Sequence, residues 1–229
     1  MLQQDVSAVT IERYRQVQHS AKETMAHLSS FIVPGITERD IKQEAEAYMT
    51  AHGIESFWYY DIGAFVFAGK RRTALSISGK QYVPENVKIK SDDIVTVDLS
   101  PCIGAIWGDY ARTILLDNDQ LSYGIDFQIH LHDVLKKKTR SDMAFGDLFA
   151  MMNEEIERHG FVNVDGNRNM GHTIEVDRDA RRYLEDGNTL TISSARLFTF
   201  EPHIRKKDGV YGFKMENIYY VENGQLVEL

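Results

Sequence analysis

The segment Ile94-Val95-Thr96-Val97-Asp98-Leu99-Ser100-Pro101-Cys102-Ile103-Gly104-Ala105-Ile106-Trp107-Gly108-Asp109-Tyr110-Ala111-Arg112-Thr113 decides how this chain is read. Ile94 to Val97 is a short apolar run rich in β-branched residues, the composition of a strand, and it ends in Asp98. Pro101 and Gly104 punctuate a turn. A second strand, Ala105 to Leu116, completes a β-hairpin and carries Asp109. Carboxylates at the ends of neighbouring strands repel each other and cost stability unless a positive partner sits between them. The pair reads either as part of a metal site or as solvated turn aspartates.

Working outward, the 229 residues suffice for one large domain or two small ones. A hydrophobic share of 43% and a charged share of 26% are those of an ordinary globular protein. The net charge of -8, with no basic cluster, argues against a nucleic-acid partner. Lys136-Lys137-Lys138 reads as a solvated helix end that complements the helix dipole. Cys102 is the single cysteine, so an internal disulfide is impossible and a reducing compartment fits. No apolar run approaches a membrane span and no signal-peptide pattern opens the chain, which together predict a cytoplasmic protein.

Upstream of the hairpin, Val9, Ile11, Tyr14, Val17, Ala21, Met25, Leu28 and Phe31 recur at helical spacing and predict a helix over Ala8 to Phe31. Val33-Pro34-Gly35 ends it. Thr37 then reads as an N-cap, with Glu38 and Asp40 in the first turn of a helix lined by Ile41, Ala45 and Met49 and closed by Gly53. Phe57 to Gly69 is dense in aromatic residues and predicts a strand. Its rings, Trp58 and Tyr60 among them, are either core or an apolar wall of a substrate pocket. Downstream, helices are predicted through Tyr123 to Leu135 and from Phe145 to His159, and a polar loop from Val162 to Met170. Strands are predicted over Thr189 to Phe200, Asn217 to Glu222 and Leu226 to Leu229. The order helices, strands, helices, strands points to an α+β fold with a mostly antiparallel sheet and no domain boundary.

Three further pieces complete a candidate ligand set. Gly171-His172 offers an imidazole, Glu201-Pro202 ends an apolar strand in a carboxylate, and Glu216 opens another strand pattern. With Asp98 and Asp109 this makes four carboxylates and one histidine. Hard oxygen donors with a single nitrogen suit Mn, Fe, Co or Zn. Four anionic ligands balance two divalent cations, which a carboxylate pair can bridge at about 3.5–4 Å, lowering the pKa of a shared water. Each piece alone has a bland reading, and the weight rests on the set and its order.

That order, together with Pro34-Gly35-Ile36-Thr37-Glu38 and Gly108-Asp109-Tyr110-Ala111-Arg112-Thr113, resembles the methionine aminopeptidase, Xaa-Pro aminopeptidase and prolidase superfamily. The resemblance covers nearly the whole chain. It implies a pita-bread (creatinase/aminopeptidase-like) fold over residues 1–229, a curved sheet flanked by helices in pseudo-two-fold halves. It further implies that Asp98 chelates one metal, His172 and Glu201 the other, and Asp109 and Glu216 both. Glu201 is then the general base for the attacking water. A homodimer is an expectation of the resemblance alone.

Two positions depart from the family pattern. Its peptidases usually carry a histidine in the region that here spans Thr73 to Gly79, and another where this chain has Asp179. Donors aimed at developing charge are worth several kcal/mol in related roles. His203 would share a strand face with Glu201 and is the candidate catalytic substitute; its other reading is an exposed strand-end side chain. Thr73, Arg71, Arg72 and Arg181 are the other available donors, Thr73 also as a substrate contact. The leading function is metal-dependent hydrolysis of an amide bond beside a free amine, most simply in a peptide. The alternatives are a specialised small-molecule metalloenzyme on the same fold and a non-catalytic binding protein using its cleft.

Overall fold

A computed structural model describes residues 8–229, and its first half begins with a helix pair. Helix α1 (Ala8–Phe31) buries Val17, Ala21, Met25 and Leu28 along one stripe, the three-to-four spacing that the sequence predicts. The side chain of Val9, assigned to that stripe from sequence, lies outside the described residues. Helix α2 (Glu38–Ala51) starts at a capping box: the Asp40 amide donates to Thr37 Oγ1 at 3.2 Å and the Thr37 amide to Asp40 Oδ2 at 2.9 Å. Ile41, Ala45 and Met49 are its buried face. Gly53, at φ +90°, lets the chain leave the helix end.

The aromatic segment is not one strand. Strand β1 (Ser56–Phe57) and strand β2 (Ala64–Ala68) flank a turn in which Tyr60 and Asp61 both take φ of 57°. Two consecutive left-handed residues cannot continue a ladder. The expected hairpin is interrupted as well. Strands β3 (Ile94–Leu99) and β6 (Tyr110–Leu115) pair as predicted, with Asp98 opposite Ala111. Between them, β4 (Pro101–Ile103) and β5 (Ile106–Trp107) turn at Gly104 and join β1 in a small separate sheet. Pro101 therefore lies in a strand rather than the turn, and Asp109 sits at a break before β6 rather than within a strand.

Helices α3 (Ser122–Lys138) and α4 (Phe145–Arg158) follow, and Gly160 at φ +77° closes the second. Strand β7 (Phe161–Asn163) precedes the polar loop. Only the end of the predicted Thr189 to Phe200 strand is extended, as β8 (Phe198–Phe200), because Ile192–Ser194 forms a tight helical turn. Strand β9 (His203–Lys206) was not predicted from the sequence. Strand β10 (Gly212–Glu222) begins well before Asn217, and β11 (Gln225–Glu228) pairs with its end.

The large sheet runs β2-β3-β6-β10-β9-β7, with antiparallel pairing throughout. Val95, Val97 and Leu99 of β3 pack into a core with α1 and α2, while Phe213 and Tyr219 of β10 belong to a second core with α3 and α4. Strand side chains alternate faces. Asp98 of β3 and Lys214 and Glu216 of β10 therefore fall on the face turned away from those helices. The β6–β10 pairing, Met215 to Arg112 and Glu216 to Ala111, is the seam between the halves.

Candidate metal centre

Ala111 stands opposite Asp98 on one side and Glu216 on the other. Directly paired residues share a face of the sheet, so the small Ala111 side chain lies between two carboxylates. Arg112 secures this seam: its guanidinium donates to the Glu216 carbonyl at 2.8 Å and to Asn217 Oδ1 at 2.6 Å. Asp109 reaches the same space from the break before β6. Gln18 on α1 clamps its backbone, donating to the Asp109 carbonyl at 2.7 Å and accepting from its amide at 3.0 Å. Trp58 Nε1 donates to the adjacent Gly108 carbonyl at 3.0 Å, and its ring stacks on Trp107.

His172 and Glu201 are held as a unit by Thr199. The Thr199 hydroxyl accepts the His172 amide at 3.0 Å and donates to Glu201 Oε1 at 3.3 Å. Gly171, at φ +149°, lets the chain pass so close that an added Cβ would lie 2.1 Å from the Thr199 carbonyl oxygen. His172 Nδ1 donates to the Thr173 carbonyl at 3.1 Å. That bond selects the tautomer and leaves Nε2 as the free lone pair. Nε2 lies 3.6 Å from Asp109 Oδ2 and 3.6 Å from Glu201 Oε1. The five residues expected as ligands thus converge from both halves of the chain.

A sixth group joins them. Lys214 Nζ lies 2.6 Å from Asp98 Oδ2, 2.7 Å from Glu201 Oε2 and 3.4 Å from Glu216 Oε2. Sequence reading assigned Lys214 no role, although its spacing of two from Glu216 on a strand puts both on one face. Electrostatics follow the geometry. Burial, then the charges of Asp98 and Glu201, push Asp109 well above the usual carboxylate range. Burial, then Asp109 and Glu201, do the same to Glu216. Burial raises Asp98 despite Lys214. Burial also works against Glu201, but Lys214 and His172 overcome it and hold Glu201 at about 2. Burial lowers His172 to about 4, which keeps the imidazole neutral near pH 7.

Asp98, Asp109, His172, Glu201 and Lys214 line a cavity of about 440 Å³, with Glu216 fully buried behind them. Of the residues expected to contact substrate, Trp58, Thr73 and His203 line it; Tyr60 lies outside the lining, with the Arg178 guanidinium 4.1 Å from its ring centre. His203 is buried rather than exposed. Its Nε2 bonds the Thr73 carbonyl at 2.7 Å, and burial lowers it to about 4. Among the alternative donors, Arg72 is committed to Glu38 at 2.5 Å, and neither it nor Arg71 lines the cavity. Arg181 does line it, with its guanidinium 5.0 Å from the Trp58 ring centre and 5.3 Å from that of Tyr59. Asp179 is 79% exposed in a helical turn outside the lining.

The donor set fits a divalent cation. Both carboxylate oxygens of Glu216 are buried without a hydrogen-bond partner, and a buried unsatisfied carboxylate is costly. One ligand atom each from Asp109, His172 and Glu216 lies within 4.8 Å of the others. Carboxylates repelling one another beside a neutral imidazole are what a hard cation satisfies.

The fold and this donor set define a pita-bread metallopeptidase. The chain belongs to metallopeptidase family M24, whose model matches residues 12–223. It is 23% identical over 213 residues to methionine aminopeptidase B of Synechocystis sp., covering 90% of this chain and 77% of that protein. Its fold matches the crystal structure of X-Pro aminopeptidase from Thermotoga maritima with a TM-score of 0.80 at 18% identity. That match covers 95% of this chain but 60% of the other. Methionine aminopeptidase from Rickettsia prowazekii matches with a TM-score of 0.75 at 16% identity, over 99% of each chain.

Proposed function

We propose that residues 1–229 form one catalytic domain that hydrolyses an amide bond next to a free amine, as an aminopeptidase of the methionine or Xaa-Pro type. The observation that carries this is the buried Glu216 carboxylate, which accepts no hydrogen bond, beside Asp109 and His172. Membership of family M24 and the methionine aminopeptidase relatives support it. Asp98 would hold one divalent ion, His172 and Glu201 a second, and Asp109 and Glu216 both, with Mn, Co, Fe or Zn as the ions. When bound, such ions acidify water and polarise a carbonyl. Glu201, kept ionised by Lys214, accepts the proton of the attacking water and returns it to the departing amine. Arg181 supplies the donor that the missing histidines leave lacking, toward charge developing on the carbonyl oxygen. Thr73, His203 and Trp58 wall the substrate, His203 holding the Thr73 backbone in place, with Tyr60 behind the aromatic side. A peptide is the substrate and the cytoplasm the location in this reading. Among the described residues no helix is long and apolar enough to cross a membrane.

One observation favours a second reading, a small-molecule amidohydrolase. The Asp179 side chain is turned to solvent, and an arginine among aromatic rings faces the cavity instead. The discriminating experiment is metal analysis of chelator-free protein and of Asp109→Ala, followed by a peptide library with Mn, Co, Fe and Zn. About two ions per chain, lost in the variant, with release of N-terminal residues support the aminopeptidase. Bound metal without peptide turnover selects the small-molecule enzyme. No metal under any loading overturns both and leaves a binding protein.

A further inference from the structure

A second group of metal-ligating side chains lies away from the centre, where α3 meets α4. His130 comes from α3, Glu155 from α4, and His159 caps the end of α4. Glu155 Oε1 lies 2.6 Å from His130 Nε2 and 3.6 Å from His159 Nδ1. One ligand atom of each of the three lies within 4.8 Å of the others. The Glu155 side chain is only 6% exposed, whereas His130 and His159 are 42% and 39% exposed. A nearly buried carboxylate is thus flanked by two accessible imidazoles, an arrangement open to an ion from solvent on one side. Phe127 forms an apolar floor: its ring centre lies 4.9 Å from that of His159 and 5.7 Å from that of His130, and it stacks on Phe161.

We propose that His130, Glu155 and His159 form a second metal site, one that takes a late first-row divalent cation such as zinc and clasps α3 to α4. The donor chemistry carries the assignment. Two imidazoles and one carboxylate, with water in the fourth position, form a recurrent tetrahedral zinc set. Bonds of about 2.0–2.1 Å place tetrahedral ligand atoms about 3.3 Å apart, between the 2.6 Å and 3.6 Å that separate Glu155 Oε1 from His130 Nε2 and His159 Nδ1. Small rotations of the two half-exposed rings close the difference. One of them releases the His159 Nδ1 bond to the Glu155 carbonyl, 2.9 Å long. The site already has a competing cation: Arg158 Nη2 lies 2.5 Å from Glu155 Oε2, but its side chain is 63% exposed and free to swing away. The imidazole nitrogens distinguish this cluster from the catalytic centre, which is dominated by carboxylates. Nitrogen-rich sets favour zinc, nickel or copper over manganese.

The clasp has a structural consequence. The α3 side chain of Gln128 donates to the Phe213 carbonyl of β10 at 2.7 Å, and His132 bonds the Met215 carbonyl at 3.1 Å. An ion that fixes α3 to α4 therefore stiffens the helix that grips β10 on both sides of Lys214. This assignment is independent of the reaction catalysed at the other site.

The test compares wild-type protein with the double variant His130→Ala/His159→Ala by equilibrium dialysis against zinc, with elemental analysis. Both substitutions are at half-exposed positions, and equal melting temperatures in chelator establish that the variant folds. The expected result is one zinc fewer per chain in the variant, with a smaller zinc-induced rise in melting temperature. In wild type, Arg158→Ala should tighten that same equivalent several-fold by removing the competing guanidinium. Equal zinc counts in wild type and the double variant overturn the site.

Discussion

Lys214 Nζ lies 2.6 Å from Asp98 Oδ2, although 116 residues separate them in the chain. The same ammonium is 2.7 Å from Glu201 and 3.4 Å from Glu216. Asp98, Glu201, Glu216 and Asp109 raise Lys214 well above its ordinary range against the opposing effect of burial, so it stays charged. Lys214 is a built-in cation that offsets part of the repulsion among these carboxylates. Removing one partner of a buried ion pair costs about 3–5 kcal/mol. Lys214→Met should therefore lower the melting temperature strongly in chelator, and added divalent metal should restore most of the loss. The same loss with and without metal would sink this account.

Ala111 is the residue between Asp98 and Glu216 on the shared face, and it is fully buried. Ala111→Val puts methyl groups into the space where the two carboxylates converge. Overpacking costs about 1–3 kcal/mol of stability. Metal affinity by calorimetry should also fall, by about tenfold or more, equivalent to about 1.4 kcal/mol. Ala111→Gly serves as the control and should retain the affinity.

Gly171→Ala would set a Cβ 2.1 Å from the Thr199 carbonyl oxygen, on a backbone at φ +149°. The obstacle is backbone, and Thr199 is itself bonded to His172 through both its amide and its hydroxyl, so neither side yields cheaply. A loss of about 2–4 kcal/mol is expected, at the upper end for a point substitution. The urea midpoint measures it, and a shift within experimental error would contradict the close approach.

His132 is buried between α3 and β10, bonded to the Tyr219 hydroxyl at 2.7 Å and to the Met215 carbonyl. Burial lowers it from its ordinary 6.5 to about 3. Between those values the unfolded chain binds a proton that the folded chain refuses, so stability is complete above about pH 6.5 and falls as pH drops toward 3. One pKa unit is worth about 1.4 kcal/mol, which makes this a contribution of a few kcal/mol. His132→Gln should flatten melting temperature against pH in that window. A slope unchanged from wild type would remove His132 as its source.

The helices and the candidate ligand types were legible in the chain because their signals are local. The stripe of α1 and the Thr37 cap require only spacing and a cap residue. The strand boundaries were less so. Trp58 to Asp61 is rich in strand-forming rings, yet Tyr60 and Asp61 adopt left-handed backbone that no propensity announces. Trp58 stacks on Trp107 and braces the Asp109 backbone through Gly108, contacts between distant segments. His203 has no nearby sequence signal for burial, because what covers it is the Thr73 loop, bonded to it across 130 residues.

The sequence by itself determined the candidate ligand residues, their order and the helical frame, since side-chain chemistry and periodicity are properties of the chain. Only the tertiary structure decided that Lys214 enters the carboxylate cluster, that Gln18 on the first helix carries Asp109, and that Arg181 rather than Asp179 faces the cavity. The physical reason is one of range. A carboxylate names its own chemistry, but the charge it meets depends on which strand lies beside it. The β6–β10 seam brings together the Ala111 and Glu216 backbones, which lie far apart in the chain.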